Sequence, residues 1–183
     1  MTTTHKLWTT ALAVLAAALA AAFIASTGGG GAGSASAAPP GDVPAESVAA
    51  AAALGQTAEM PAALVNARHS EVADLRAAGA RLQRGVPLPP GGGIDVNWEA
   101  AAAQGGDNET GMRGVILYQA SCEWYRYALG HEVTPQVAAV LNSIPTWPGF
   151  RGQDYAHRLS DVAESIVTGD GSLARAHVGL NCG

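Results

Sequence analysis

The stretch Thr110–Leu129, TGMRGVILYQASCEWYRYAL, decides the fold that this sequence predicts. Its large apolar side chains recur at steps of three and four residues, which is the period of one face of an α-helix. These residues are Val115, Tyr118, Cys122, Tyr125 and Leu129. Gly130 follows directly and favours an end to the helix there. We therefore predict one long amphipathic helix over these residues.

Three segments on both sides of this helix step at three and four residues as well, whereas Glu46–Leu54 is helix-prone without a clear period and residues 173–178 form only a short helical turn. We predict further helices over Glu46–Leu54, Pro61–Arg84, residues 135–144, Asp154–Val167 and Leu173–Val178. Thr134 and Pro135 suit the N-cap and first position of the third of these. Alanine dominates the apolar residues and favours helix over strand. The expected fold is all-α, a small domain of about four to six helices.

Two stretches between these helices lack a helical period. Residues 86–93, VPLPPGGG, are expected to form a rigid connector, although an extended proline-rich ligand for an aromatic groove is a second interpretation. Residues 94–110 are ambiguous, with a short helix near Trp98 and a flexible break at Gly105–Asn108.

The first residues of the chain have the pattern of an export signal. Lys6 precedes an unbroken apolar run from Ala11 to Ala25, and small residues follow. We assign residues 1–26 to an export signal or N-terminal membrane anchor, 27–45 to a disordered Gly/Ala/Pro-rich linker, and 46–183 to one helical domain outside the cytoplasm. The positive charge of Lys6 favours an N-terminus that stays inside.

The leader permits two destinations for the domain. If it is retained, the chain is a single-pass membrane protein with its C-terminal domain outside, and the membrane is a partner through the N-terminal segment. Ala35-Ser36-Ala37 matches a small-residue cleavage site, so the alternative is secretion after cleavage near Ala37.

Charge and residue spacing exclude several classes of function. Lys6 is the only lysine, so the 10 basic residues leave nine arginines against 15 acidic residues, and the part after residue 37 carries a formal charge of about −6. Nucleic-acid binding needs clustered cations, and this balance disfavours it. No His, Cys, Asp or Glu spacing matches a metal site, so we expect no metal and no cofactor.

Cys122 and Cys182 are the only cysteines of the chain. Outside the cytoplasm, two cysteines are expected to form a disulfide. It would fasten the C-terminal tail to the centre of the predicted long helix and close a loop of about 60 residues, which the chain-entropy model values at roughly 4 kcal/mol.

Two clusters combine aromatic residues with arginine, a composition common at binding interfaces. They are WYRY at residues 124–127 and WPGFR at residues 147–151. One interpretation is a binding surface, and the other is that these side chains fill a core that is poor in large groups. The candidate surface residues are Trp124, Tyr127, Trp147, Phe150 and Arg151.

The function that the sequence favours is a non-catalytic binding or structural protein of the cell envelope, with a protein or peptide partner. One alternative is a secreted hydrolase whose site draws on His131, His157 and carboxylates such as Glu123 and Asp154. Another is an extracytoplasmic ligand sensor that uses the loop Trp147–Arg151. No catalytic motif supports the hydrolase, and its catalytic residues stay unknown.

Overall fold

The computed structural model describes residues 42–57 and 68–182. Within them the chain forms seven α-helices, a 3-10 turn and a two-stranded ribbon, which confirms the helical fold class with more helices than expected. The helices are α1 Ala45–Gln56, α2 Val72–Gln83, α3 Trp98–Ala103, α4 Glu109–Gly130, α5 Pro135–Ser143, α6 Asp154–Val167 and α7 Ser172–Asn181. The 3-10 turn is Ile144–Thr146, and the strands are β1 Arg68–His69 and β2 Asp107–Asn108.

The predicted leader, residues 1–26, and the linker up to residue 41 lie outside the described residues. The apolar run from Ala11 to Ala25 is therefore a sequence feature only. Among the helices that the structure does describe, none combines the length and apolar character needed to cross a bilayer.

Helix α4, which the sequence predicts over Thr110–Leu129, contributes to both hydrophobic cores of the domain. It begins where the Asn108 side chain accepts a hydrogen bond from the Gly111 amide at 2.9 Å, and its N-terminal half packs against α2 and α3. This half contributes to a smaller core formed by Leu75, Ala78, Trp98, Met112 and Ile116. Its C-terminal half joins α1, α5, α6 and α7 in a larger core, which includes Leu117, Trp124, Leu141, Trp147, Leu159 and Ile166.

The predicted apolar stripe of α4 is only partly correct. Cys122 and Tyr125 are buried, but Val115 is 41% exposed, and Tyr118 and Leu129 are half-buried. Two cores cover α4 from different sides, so its buried surface is broader than one stripe and shifts around the helix along its length. A stripe of period 3.6 describes a helix that packs on one side only.

The predicted helix Pro61–Arg84 is wrong at its start. Residues 61–67 lie outside the described part, and Arg68 and His69 form strand β1, which pairs antiparallel with β2. The Arg68 guanidinium also donates to the carbonyls of Gly105 and Gly106, both at 3.0 Å. These tertiary hydrogen bonds outweigh the local helical preference, and α2 starts only at Val72.

Segments 94–110 and 86–93 are ordered by a local helix cap, by strand pairing and by burial. Asn97 caps α3 by accepting from the Ala100 amide at 2.8 Å, and the predicted break at Gly105–Asn108 contains β2. Pro87 and Pro89 of the connector are buried, which favours the rigid connector over an exposed ligand.

The C-terminal helices follow their local signals. Thr134 caps α5 by accepting from the Val137 amide at 3.3 Å, and Pro135 is its first residue. Helix α6 has the predicted bounds, Asp154–Val167, and Gly169 and Gly171 then turn the chain with positive φ of 85° and 59°. The turn directs α7 back onto α6 and α4.

Candidate functional site

An aromatic cluster lies where α4, α6 and α7 meet. Tyr118 and Tyr125 lie two turns apart on α4, Tyr155 is the second residue of α6, and His177 is in the middle of α7. The His177 ring centroid is 5.6 Å from that of Tyr125 and 6.3 Å from that of Tyr155. Tyr118 and Tyr155 are 6.4 Å apart, and Phe150 contacts Tyr155 at the same centroid distance. We call Tyr118, Tyr125, Tyr155 and His177 the aromatic cluster.

Two polar atoms in the aromatic cluster are buried without a hydrogen bond to any described residue. They are the hydroxyl of Tyr125 and Nε2 of His177. Tyr125 is fully buried and His177 is 4% exposed. A buried polar group without a partner costs about 1–3 kcal/mol, and native proteins hold few of them. Tyr118 differs, because its hydroxyl donates to the carbonyl of Asn181 at 3.1 Å.

The surroundings of Tyr125, Tyr155 and His177 in the aromatic cluster favour the neutral form of these three side chains. Burial raises the pKa of Tyr125, and the neighbouring Tyr155 and Tyr118 raise it further. Burial also raises the pKa of Tyr155, followed by its hydrogen bond with Tyr118. The pKa of His177 is lowered, first by burial and then by the positive charge of Arg158. Burial thus disfavours a tyrosinate at Tyr125 and Tyr155 and an imidazolium at His177.

The two cysteines lie at the edge of the aromatic cluster. Cys122 is one turn beyond Tyr118 on α4, and Cys182 is the C-cap of α7. Their sulfurs are 2.00 Å apart and their α-carbons 5.6 Å apart, so the predicted pairing is confirmed. The C-terminal end of α7 is thus fixed covalently to the middle of α4.

The residues predicted as a possible binding surface do not share a surface. Trp124 is fully buried, and its Nε1–H donates to the carbonyl of Pro87 at 2.9 Å. Trp147 is fully buried as well and Phe150 is 5% exposed, so all three belong to the larger core. The chain has few large side chains, and these rings are needed to fill the interior.

Arg151 and Tyr127, the other two candidates, are engaged with the domain itself. Arg151 donates to the carbonyls of Gly55 at 3.2 Å and Thr57 at 3.0 Å, so it fastens the end of α1 to the loop after the 3-10 turn. The half-buried ring of Tyr127 stacks on His131, with centroids 4.2 Å apart and planes at 13°. A ligand sensor built on the loop Trp147–Arg151 would need side chains that this packing already occupies.

Two of the candidate catalytic groups, His131 and Glu123, have different partners. Nδ1 of His131 is 2.8 Å from the carbonyl oxygen of Tyr127, and Glu123 pairs with Arg126 at 2.6 Å. Within residues 42–57 and 68–182, no hydrogen bond or ion pair joins His131 or His157 to Glu123 or Asp154. The same residues hold no group of three or more His, Cys, Asp or Glu that could bind a metal ion.

A shallow groove between α5 and α6 is a second concave feature of the domain. Its volume is about 260 Å³. It is lined by Asn142, Pro145, Ser160, Ala163, Glu164 and Val167. The Ser160 hydroxyl donates to the carbonyl of Ala156 on its own helix, so it serves the helix backbone. One carboxylate, that of Glu164, lies on its lining.

The aromatic cluster was not predicted from the sequence. Tyr118 and Tyr125 lie on α4 as the periodicity predicts, but no motif in the sequence singles out His177. A signal was available, since Ala174, His177 and Val178 follow the helical period and share the inner face of α7. Which helices meet that face depends on tertiary packing, which periodicity does not contain.

Comparison with known protein families, curated proteins and solved structures finds no match for this chain.

Proposed function

We propose that this chain is an exported or membrane-anchored protein whose helical domain acts outside the cytoplasm, as a binding or structural element of the cell envelope. The observation that carries the proposal is the bonded pair Cys122–Cys182 in a chain whose first residues have the pattern of an export signal. Disulfides persist in oxidising compartments and are rare in the cytosol. Two unrelated features therefore support the same location.

A binding or structural role is supported by how the polar side chains are used. Arg151 fastens α1, and Arg68 donates to the turn before β2. His131 contacts the carbonyl of Tyr127 and Glu123 pairs with Arg126, so these two candidate catalytic groups have different partners, whereas an enzyme needs titratable groups that converge on its substrate. The proposed partner is a protein or peptide of the envelope, or the membrane itself through an uncleaved leader.

Alkaline phosphatase fusions test the location. The enzyme is fused after residue 60, and the matched control lacks residues 1–26. The expected result is an active fusion with the leader and an inactive one without it, because the phosphatase needs its own disulfides to fold. Full expression of an inactive fusion with the intact leader would refute export.

Sequencing the N-terminus of the exported protein separates the two destinations. A mature chain that starts at Ala38 identifies the secreted form, and an intact leader in the membrane fraction identifies the anchored form. Thiol titration of the exported, denatured and unreduced protein is expected to find no free thiol. Two free thiols per chain would remove the observation on which the proposal rests.

A further inference from the structure

We propose that α7 is an acid-sensitive strap, which separates from α4 and α6 when His177 takes up a proton and stays attached through Cys122–Cys182. The proposal concerns the domain itself and is independent of where the chain resides. It rests on three properties of α7: a sparse apolar contact face, a buried histidine at the centre of that face, and fixed ends.

The inner face of α7 has little apolar area with which to hold the helix in place. Ala174, His177 and Cys182 are its buried side chains, and Val178 is half-buried. The larger apolar residues Leu173 and Leu180 point outward, with 43% and 84% of their surfaces exposed. Hydrophobic stabilisation scales with the apolar area removed from water, so α7 gains less from docking than a helix with several buried leucines.

His177 occupies the centre of this face and is held in its neutral form by its neighbours. From α4 it faces the rings of Tyr125 and, beyond it, Tyr118. From α6 it faces Tyr155 and the positive charge of Arg158. Among the described residues no carboxylate forms an ion pair with His177. An imidazolium here would lie among neutral rings and beside a like charge, which is unfavourable.

Both ends of α7 remain attached when its centre separates. At the N-terminal end, the Gly171 amide donates to the carbonyl of Ser165 at 2.7 Å, within the turn that follows α6. At the C-terminal end, Cys182 is bonded to Cys122. When α7 separates from α4 and α6, Tyr125 and Tyr155 are therefore exposed while the C-terminal tail stays attached. Because α7 stays next to its docking site, it can return there without diffusing away.

The direction of the pH dependence follows from proton linkage. The folded-state pKa of His177 lies below the ordinary value of 6.5. The closed form therefore binds fewer protons than the open form, and closure is fully favourable above pH 6.5. As the pH falls below 6.5, the opening equilibrium rises up to tenfold per pH unit until the lowered pKa is reached, and it is constant below that value.

Hydrogen exchange of the full chain between pH 7.5 and pH 4.5, corrected for the intrinsic pH dependence of exchange, tests the strap. We expect amides of α7 to lose protection below pH 6.5 by up to tenfold per pH unit, while amides of α1 do not. His177→Gln should remove this pH-dependent loss of protection in α7. The matched control His157→Gln changes an exposed histidine on α6 and should keep it.

Three outcomes would overturn the proposal: equal changes in α1 and α7, no change in α7, or a step that persists in His177→Gln. If that variant does not fold, the imidazole resonance of His177 in the unmodified protein decides the matter. A His177 that titrates at or above pH 6.5 contradicts the strap, and one that titrates below it, together with loss of protection in α7, supports it.

Discussion

Gly79 is expected to be a site where alanine, the better helix former, destabilises the domain. In the interior of a helix, replacing glycine by alanine usually gains about 1 kcal/mol. Gly79, however, is buried on α2 against Trp98, and an added Cβ would overlap Cζ2 of that ring and lie 2.9 Å from Cε2. Carbon atoms prefer separations of about 3.5–4.0 Å, so the ring or the helix must move.

The expected change in the free energy of unfolding is the sum of two opposing contributions. Overpacking of a filled core costs about 1–3 kcal/mol, which cancels or exceeds the propensity gain. Gly114 is the matched control, because it lies inside α4 with no atom within 4 Å of an added Cβ. Gly114→Ala should stabilise the domain by up to about 1 kcal/mol. Gly79→Ala should therefore be about 1–3 kcal/mol less stable than Gly114→Ala.

Urea denaturation of the two variants, followed by circular dichroism, measures this difference. For a domain of this size, 1 kcal/mol corresponds to a shift of about 3–4 °C in Tm, so thermal unfolding gives a second measurement. Replacing Trp98 by leucine in the Gly79→Ala background should recover part of the loss, because it removes the ring that the methyl group meets. Equal stability of Gly79→Ala and Gly114→Ala would refute the packing argument.

Three further predictions concern the aromatic cluster, the disulfide and a helix cap. Tyr125→Phe should be neutral or stabilising by up to about 1 kcal/mol, because it removes a buried hydroxyl without a partner. Tyr118→Phe should destabilise by about 1 kcal/mol, because it removes the hydrogen bond to the carbonyl of Asn181. A lower urea midpoint for Tyr125→Phe than for Tyr118→Phe would contradict this. Replacing Cys122 and Cys182 by serine should lower the free energy of unfolding by about 4 kcal/mol, and an unchanged urea midpoint would refute it. Thr134→Ala should lower the free energy of unfolding by about 1 kcal/mol, because it removes the N-cap of α5, whereas Thr134→Ser should unfold thermally near the wild type. Equal losses of stability in both variants would exclude a capping role.

The sequence determined the helices whose ends carry strong local signals. Thr134 and Pro135 start α5, and Gly169 follows the end of α6, so both helices were placed within one or two residues. These signals act through backbone geometry and nearby hydrogen bonds. They do not depend on the rest of the fold, which is why they could be identified from the sequence.

Features that depend on distant partners could not be predicted in the same way. The ribbon pairs Arg68 with Asn108 and His69 with Asp107, and neither pair of residues carries a strand signal of its own. The aromatic cluster depends likewise on three helices meeting. The position of Trp124 on α4 fits either the core or a binding surface. In the structure it lies in the core, where its Nε1–H donates to the carbonyl of Pro87, a partner that the sequence does not reveal.

The packing of α1 has a consequence for how the nascent chain acquires its structure. Helix α1 packs mainly on α5 and on the 3-10 turn after it, both of which are synthesised much later. Because a chain emerges from the ribosome N-terminus first, α1 is synthesised before the residues of α5 and the 3-10 turn that cover its buried face. Its fully buried residues are the small Ala51 and Gly55, and the partly buried Val48 and Leu54 also pack against the larger core. Until that core forms, the apolar surface that α1 leaves uncovered is therefore limited to these few side chains.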